Sequence, residues 1–285
     1  DSALMRPGRV DKRIYINNPD EKTRLSIFNI HSQGKPMDAT VNVQELVEST
    51  SGFSAAQIEN LLNEAMLNAL RFERKQMTFD DVEIVLNKMM VGWQPSEHEF
   101  TDNIIDHIAI HELGHAIVGL LAKHHSPVTK VLINLQAPNS PGYTVFANSK
   151  SPIMTREALF EHLMILLSGR IAEEVFYGRS ITTGAINDFE EALKLAKKMI
   201  IYYGMGKHAV YPDLSEKYKE IIDVEVAGLI DEAYHYAEFL VRNSRDLIYE
   251  GAEILKRDKI VKADQLIRLM NEKHQGVLAL KFKQI

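Results

Sequence analysis

His107–Leu120, HIAIHELGHAIVGL, sets three histidines and a glutamate among residues that are otherwise apolar or small. Within it, His111-Glu112-Leu113-Gly114-His115 has the HExxH pattern. On a helix, residues i and i+4 lie about one turn apart on one face, so His111 and His115 can point at one place and share a metal ion. Glu112 is turned by about 100° from His111. That places it against a water polarised by the metal, as a general base needs, and not on the metal itself. The alternative is a helix whose histidines are satisfied core residues and whose glutamate faces solvent. The flanking Ile108, Ala109, Ile110, Ala116, Ile117 and Val118 favour the metal, because burying three titratable groups without a shared ligand is costly. Gly114 leaves room for a close neighbour. His107 continues the face one turn upstream, too far along a straight helix to be a third ligand, and is expected to be structural.

A catalytic zinc takes three protein ligands and keeps one position open. The metzincin extension of the motif needs glycine and histidine where this chain has Val118 and Leu121, so that class is excluded. His124 and His125 fall beyond the helix end and are expected at the surface. The remaining candidates are acids of later helices, notably Glu173 and Glu174 in SGRIAEEVFYG and Asp188 in TTGAINDFEEA. Spacing alone does not choose among them.

The rest of the chain fits a globular protein. Its 285 residues are 45% hydrophobic and 25% charged, which suits two domains of ordinary size. A net charge of −6 gives no basic footprint for nucleic acid. With no cysteine there are no thiolate ligands, so a metal must be held by imidazole and carboxylate. No apolar run is expected to reach the roughly 20 residues that span a bilayer. The start, DSALMRPGRV, has neither an initiator methionine nor a signal-peptide layout, as in a piece of a longer protein.

Periodicity predicts a mainly α fold with a small β element. A short strand is expected around Ile14 and Ile16, followed by helices in EKTRLSIFNIHS, VNVQELVEST, SAAQIENLLNEAMLNALRFE and TFDDVEIVLNKMM. Ser54 with Gln57, and Thr78 with Asp81, have capping-box spacing. VGWQPSEHEF breaks the pattern and reads as a linker. A long helix through HELGH follows, then TKVLINL and GYTVFA as a hairpin, then an almost wholly helical remainder broken near YGRSITTGA, YYGMGKHAVYPD and RNSRD.

Taken together, ALMRPGRVDKRI, GFSAAQIENLLNEA, HELGHAIVG, SGRIAEEVFYG and TTGAINDFEEALKLAKKM resemble, in order, the FtsH family of membrane-anchored, ATP-dependent AAA+ zinc metalloproteases. The resemblance covers nearly the whole chain. It implies the end of an AAA+ core at 1–18, a helical AAA+ lid at 19–91, a linker at 92–101 and a mostly helical zinc peptidase domain at 102–285. It implies Zn2+ held by His111, His115 and Asp188, with Glu112 as catalytic base. Glu173 then stands behind the ligands, orienting a histidine through its other ring nitrogen or serving structure alone. Arg6 and Arg9 match arginine fingers that reach a neighbouring subunit's nucleotide, while His31, Ala55 and Ala56 resemble positions flanking a nucleotide. TKVLINL resembles the edge strand on which such peptidases lay an extended substrate. The implied partners are polypeptide substrates, a homo-hexamer or closely related hetero-hexamer, and a membrane reached through segments outside this chain, with no nucleic acid. The peptidase would face the cytoplasm or an organelle interior, and the fragment itself would be soluble.

Departures from the family pattern bear on activity. QGKPM has the Gly-Lys pair of a phosphate-binding loop, but proline follows and the earlier glycine is missing. ATP and Mg2+ therefore belong to a full-length parent. Val10 and Lys12 replace the family's usual phenylalanine and arginine, and the 206–223 loop is short. Rival readings are a catalytically silent chaperone or assembly module of the same fold, which the intact HExxH argues against, and a stand-alone zinc peptidase.

Overall fold

The computed structural model describes residues 16–91, 100–135, 141–147, 151, 153–208 and 215–282. The chain forms two compact units, Asp1–Trp93 and Gln94–Ile285, and its described residues are mainly α with one small sheet.

The first unit is a bundle of α1 (Glu21–His31), α2 (Val43–Ser49), α3 (Ala55–Arg71) and α4 (Phe79–Val91). Its helices start where the sequence supplies caps. Gln57 N–H donates to Ser54 Oγ, and Ser54 N–H donates to the Gln57 side chain, the reciprocal bonds of a capping box. Thr78 N–H donates to Asp81 Oδ2 (2.8 Å) and Asp81 N–H to Thr78 Oγ1 (3.4 Å). Asp81 is buried and also accepts from Arg74 and Asn68, so its charge is compensated on every side. Ile58, Leu61, Leu62, Ala65 and Ala69 form one buried face of α3. Of the strand expected around Ile14 and Ile16, Ile14 lies outside the described residues. Ile16 is exposed and outside any strand.

The second unit is built around α5 (Asp102–Leu121), which carries HELGH and is buried from Ala109 to Gly119. A helix apolar on all sides has to lie inside a protein or a membrane. Contrary to expectation, α5 is long and apolar enough, by length and composition, to cross a bilayer, but 78% of its apolar window is buried inside the protein. It is the core helix of this unit. Around it pack β1 (Val128–Ile133), β2 (Gly142–Phe146), α6 (Arg156–Tyr177), α8 (Glu216–Asn243) and α9 (Arg245–Asp258). Between α6 and α8 runs α7 (Ile186–Ile201), and after α9 come β3 (Ile260–Lys262), α10 (Ala263–Lys273) and α11 (Gln275–Leu278).

The strands form an antiparallel sheet in the order β2-β1-β3, with Val131 opposite both Thr144 and Val261. One expectation is corrected here. TKVLINL is the central strand and not an edge, because β3 covers its second side. The region after Thr155 is almost wholly helical, as expected, and three residues between α9 and α10 supply that covering strand.

Helices α5 and α6 pack closely. A Cβ at Gly114 would lie 2.6 Å from the Ser168 carbonyl oxygen and 2.8 Å from Ala172 Cβ. Glycine here lets two backbones touch, at a helix-propensity cost of about 0.5–1 kcal/mol relative to alanine. Gly228, on the exposed side of α8, meets nothing within 4 Å. Gly228→Ala is therefore expected to stabilise the chain by about 0.5–1 kcal/mol. Gly114→Ala should destabilise it by about 1–3 kcal/mol despite the same propensity gain. Thermal melts of both variants check the opposite signs; equal shifts in one direction would contradict the close-packing assignment.

Candidate metal centre

Helix α5 delivers two imidazoles, and each has its outer nitrogen fixed by a different partner. His111 Nδ1 lies 2.7 Å from Glu173 Oε1 on α6, and His115 Nδ1 lies 2.6 Å from the Ile165 carbonyl oxygen. Acceptors at both Nδ1 positions require Nδ1–H there, so in the neutral rings both Nε2 lone pairs face the interior, where a proton or a metal ion must lie between them. The two Nε2 atoms stand 3.0 Å apart. Lone pairs brought together in this way call for a cation.

The third group arrives from α7. Asp188, in its first turn, places Oδ2 3.1 Å from His111 Nε2 and 3.4 Å from His115 Nε2. One ligand atom from each of the three residues lies within 4.8 Å of the others. Burial would raise the Asp188 carboxyl, but the hydrogen bonds to His111 and His115 hold it well below the usual carboxylate range. Burial resists charge on His111, yet Asp188 and Glu173 outweigh it and push its pKa up to about 10. Both shifts express one demand, for positive charge between the imidazoles and the carboxylates.

Space for an ion is kept by glycine. A Cβ at Gly169, in the middle of α6, would lie 2.5 Å from both Nε2 atoms, so a side chain there would fill the place where these donors converge. The donor set of two imidazoles and one carboxylate also suits zinc and matches catalytic sites with one position left open.

Glu112 is buried beside this cluster. Its Oε2 accepts from Thr144 Oγ1 at 2.9 Å, and the same hydroxyl lies 3.0 Å from the Glu112 carbonyl oxygen. Strand β2 approaches closely enough that a Cβ at Gly142 would lie 2.7 Å from Glu112 Cγ. Burial pushes the Glu112 carboxyl up, against the pull of His115, His111 and the Thr144 hydroxyl.

The other candidates are distributed as follows. Glu173 is behind His111, and Glu174 accepts from Tyr234 on α8 at 2.8 Å. His107 turns Nδ1 to Glu173 Oε2 at 3.2 Å and is not among the converging atoms. His124 is exposed. His125, expected at the surface, is half-buried, its ring stacked on His162 with Nε2 3.0 Å from His162 Nδ1. In the first unit, His31 ends α1 and lies 3.8 Å from Glu59, one turn beyond Ala55 and Ala56 at the start of α3. Arg6 and Arg9 lie outside the described residues.

Sequence reasoning missed Gly169, Gly142 and Thr144. A glycine inside a strong helical pattern was the available signal for the first, because it marks close packing. Nothing local marks Thr144, whose partner is brought to it by the fold. Gly169→Ala is expected to abolish stoichiometric zinc binding while circular dichroism still shows a folded helical chain. Undiminished zinc in that variant would contradict the assigned position of the ion.

Residues 100–269 match peptidase family M41, and residues 40–84 match the AAA+ lid domain. The chain is similar to the ATP-dependent zinc metalloprotease FtsH of Synechococcus sp. (strain JA-2-3B'a(2-13)), with 32% identity over 93% of the chain and 45% of the relative. It is 35% identical to ATP-dependent zinc metalloprotease FtsH 1 of Salinibacter ruber (strain M8) over 98% of the chain and 43% of that protein. With the chloroplastic ATP-dependent zinc metalloprotease FTSH 5 of Arabidopsis thaliana it shares 30% identity over 94% of the chain and 42% of that protein. The chain thus spans less than half the length of these relatives.

Proposed function

Since the chain belongs to peptidase family M41, we propose that it is the lid and peptidase part of an ATP-dependent zinc metalloendopeptidase, in which His111, His115 and Asp188 hold the metal and Glu112 is the base. The observation that carries this reading is the convergence of those three side chains within 4.8 Å beside a buried glutamate. Bound zinc supplies a Lewis acid that polarises a peptide carbonyl and lowers the pKa of water towards about 7. Glu112 does the proton work. Thr144 holds its Oε2, leaving Oε1 to take a proton from the attacking water and return it to the departing amine. Glu173 holds His111 Nδ1–H, and the Ile165 carbonyl holds His115 Nδ1–H, so neither ring can turn its Nε2 away. Glu173 is thus an orienting residue and not a ligand.

The substrates proposed are flexible or unfolded polypeptides. In the parent protein, Arg6 and Arg9 would complete a neighbouring subunit's ATP site in a hexameric ring of identical or closely related subunits. His31, Ala55 and Ala56 would flank the nucleotide, and segments outside this chain would anchor the ring to a membrane. What supports this wider reading is the AAA+ lid match at 40–84 and the names of the relatives.

Glu112→Gln removes the base and no ligand. It should retain one zinc per chain and lose casein cleavage by about 10²–10⁴-fold. Asp188→Asn should lose zinc, while Glu173→Gln should weaken it by the smaller factor of about 10–100. Metal analysis and a fluorescent casein assay on the same preparations read both. Cleavage surviving Glu112→Gln would remove the mechanism, and zinc loss greater in Glu173→Gln than in Asp188→Asn would reverse the ligand assignment.

A further inference from the structure

Glu173 does more than face one histidine. It is 1% exposed, and each carboxylate oxygen has two partners. Oε1 lies 2.7 Å from His111 Nδ1 and 3.1 Å from Thr182 Oγ1. Oε2 accepts from Thr182 N–H at 2.8 Å and lies 3.2 Å from His107 Nδ1. A buried carboxylate needs such compensation, but the origin of the donors is informative. Two are on α5: His111 of the motif and His107 one turn ahead of it. The other two belong to Thr182, in the segment that joins α6 to α7.

Thr182 stands on the approach to Asp188. It caps a single 3-10 turn, Thr183–Ala185, by accepting from Gly184 N–H at 3.2 Å, and that turn runs without a break into α7, whose first turn carries Asp188. One hydroxyl can do both jobs, donating its hydrogen to Glu173 and accepting from Gly184. A single carboxylate therefore fixes the ring of His111 and the start of the segment that delivers Asp188.

We propose that Thr182 is a positioning residue of the metal centre: through Glu173 it holds the Asp188 segment in register with His111, so that ligands from two separate helices are set relative to each other before an ion binds. This rests on the metal-site reading above. Preorganisation of this kind acts on metal affinity, because without it ion binding must also order the Asp188 segment.

The test uses the 285-residue chain, with Co2+ as a spectroscopic probe and Zn2+ affinity measured by chelator competition. Thr182→Val keeps the side-chain volume and the N–H bond but removes the hydroxyl. It is expected to lower affinity for both ions by about 10–100-fold, as changes behind metal ligands do, and to alter the visible Co2+ bands. Thr182→Ser should restore affinity and spectrum. A residue acting only as a cap for Gly184 would lower the melting temperature of the metal-free chain and leave the Co2+ bands in place. Thr182→Ala, free of any crowding by the valine methyls, provides a second variant with the same expectation. The decisive comparison is a cycle with Glu173→Gln: if Thr182 acts through Glu173, adding Thr182→Val to that variant costs little further affinity. Wild-type affinity and spectrum in Thr182→Val and Thr182→Ala would overturn the inference, as would losses that multiply independently in the double variant. A wild-type chain that binds neither Co2+ nor Zn2+ would overturn the metal-site reading, and this inference with it.

Discussion

Helix α5 lies so close to α6 that a methyl group at position 114 would meet the Ser168 carbonyl oxygen at 2.6 Å. Much of the second unit follows from that contact. It sets Gly169 in front of His111 and His115, where a Cβ would come within 2.5 Å of both Nε2 atoms. It brings the Ile165 carbonyl to His115 and the Glu173 carboxylate to His111. Two glycines inside helices weaken each helix slightly. In return they allow a contact in which backbone, ring nitrogens and an ion-sized space share one small volume.

The electrostatics of that volume explain why it is built from so many elements. Two imidazoles with Nδ1–H fixed outward, together with Asp188, form a site that favours positive charge between them. Glu112, adjacent in sequence but turned towards β2, is kept off the convergence point by Thr144 and by the approach of Gly142. The four side chains proposed as functional therefore depend on α5, α7 and the groups that α6 and β2 supply behind them. A helix alone would present two histidines, and the tertiary fold turns them into a centre.

The sequence made part of this legible. HExxH carries its meaning within one helical turn, so both histidines and the proposed base could be read locally, as could the caps at Ser54 and Thr78. Asp188 could not be chosen from spacing, because its distance from His115 along the chain is covered by a hairpin and a long helix; only the family resemblance singled it out. The position of β1 was misjudged for a related reason. Its second partner, β3, is three residues long and arrives after α9, too short for any periodicity and too distant for any local pairing signal. Apolar composition misled in another way: α5 reads as interior, but whether the interior is protein or lipid depends on what covers it. Gly169, Thr144 and Thr182 act through space, a hydroxyl and a backbone N–H, and such roles leave little trace in a pattern of hydrophobic and charged residues.

The most direct test of the centre is X-ray absorption at the zinc edge of the metal-loaded 285-residue chain. Coordination by His111, His115 and Asp188 predicts a first shell of nitrogen and oxygen at about 2.0–2.1 Å, with outer-shell scattering from two imidazoles. Three or more imidazoles would bring in His107 or the His125–His162 pair and contradict the assignment, as would a chain that emerges from zinc loading without bound metal.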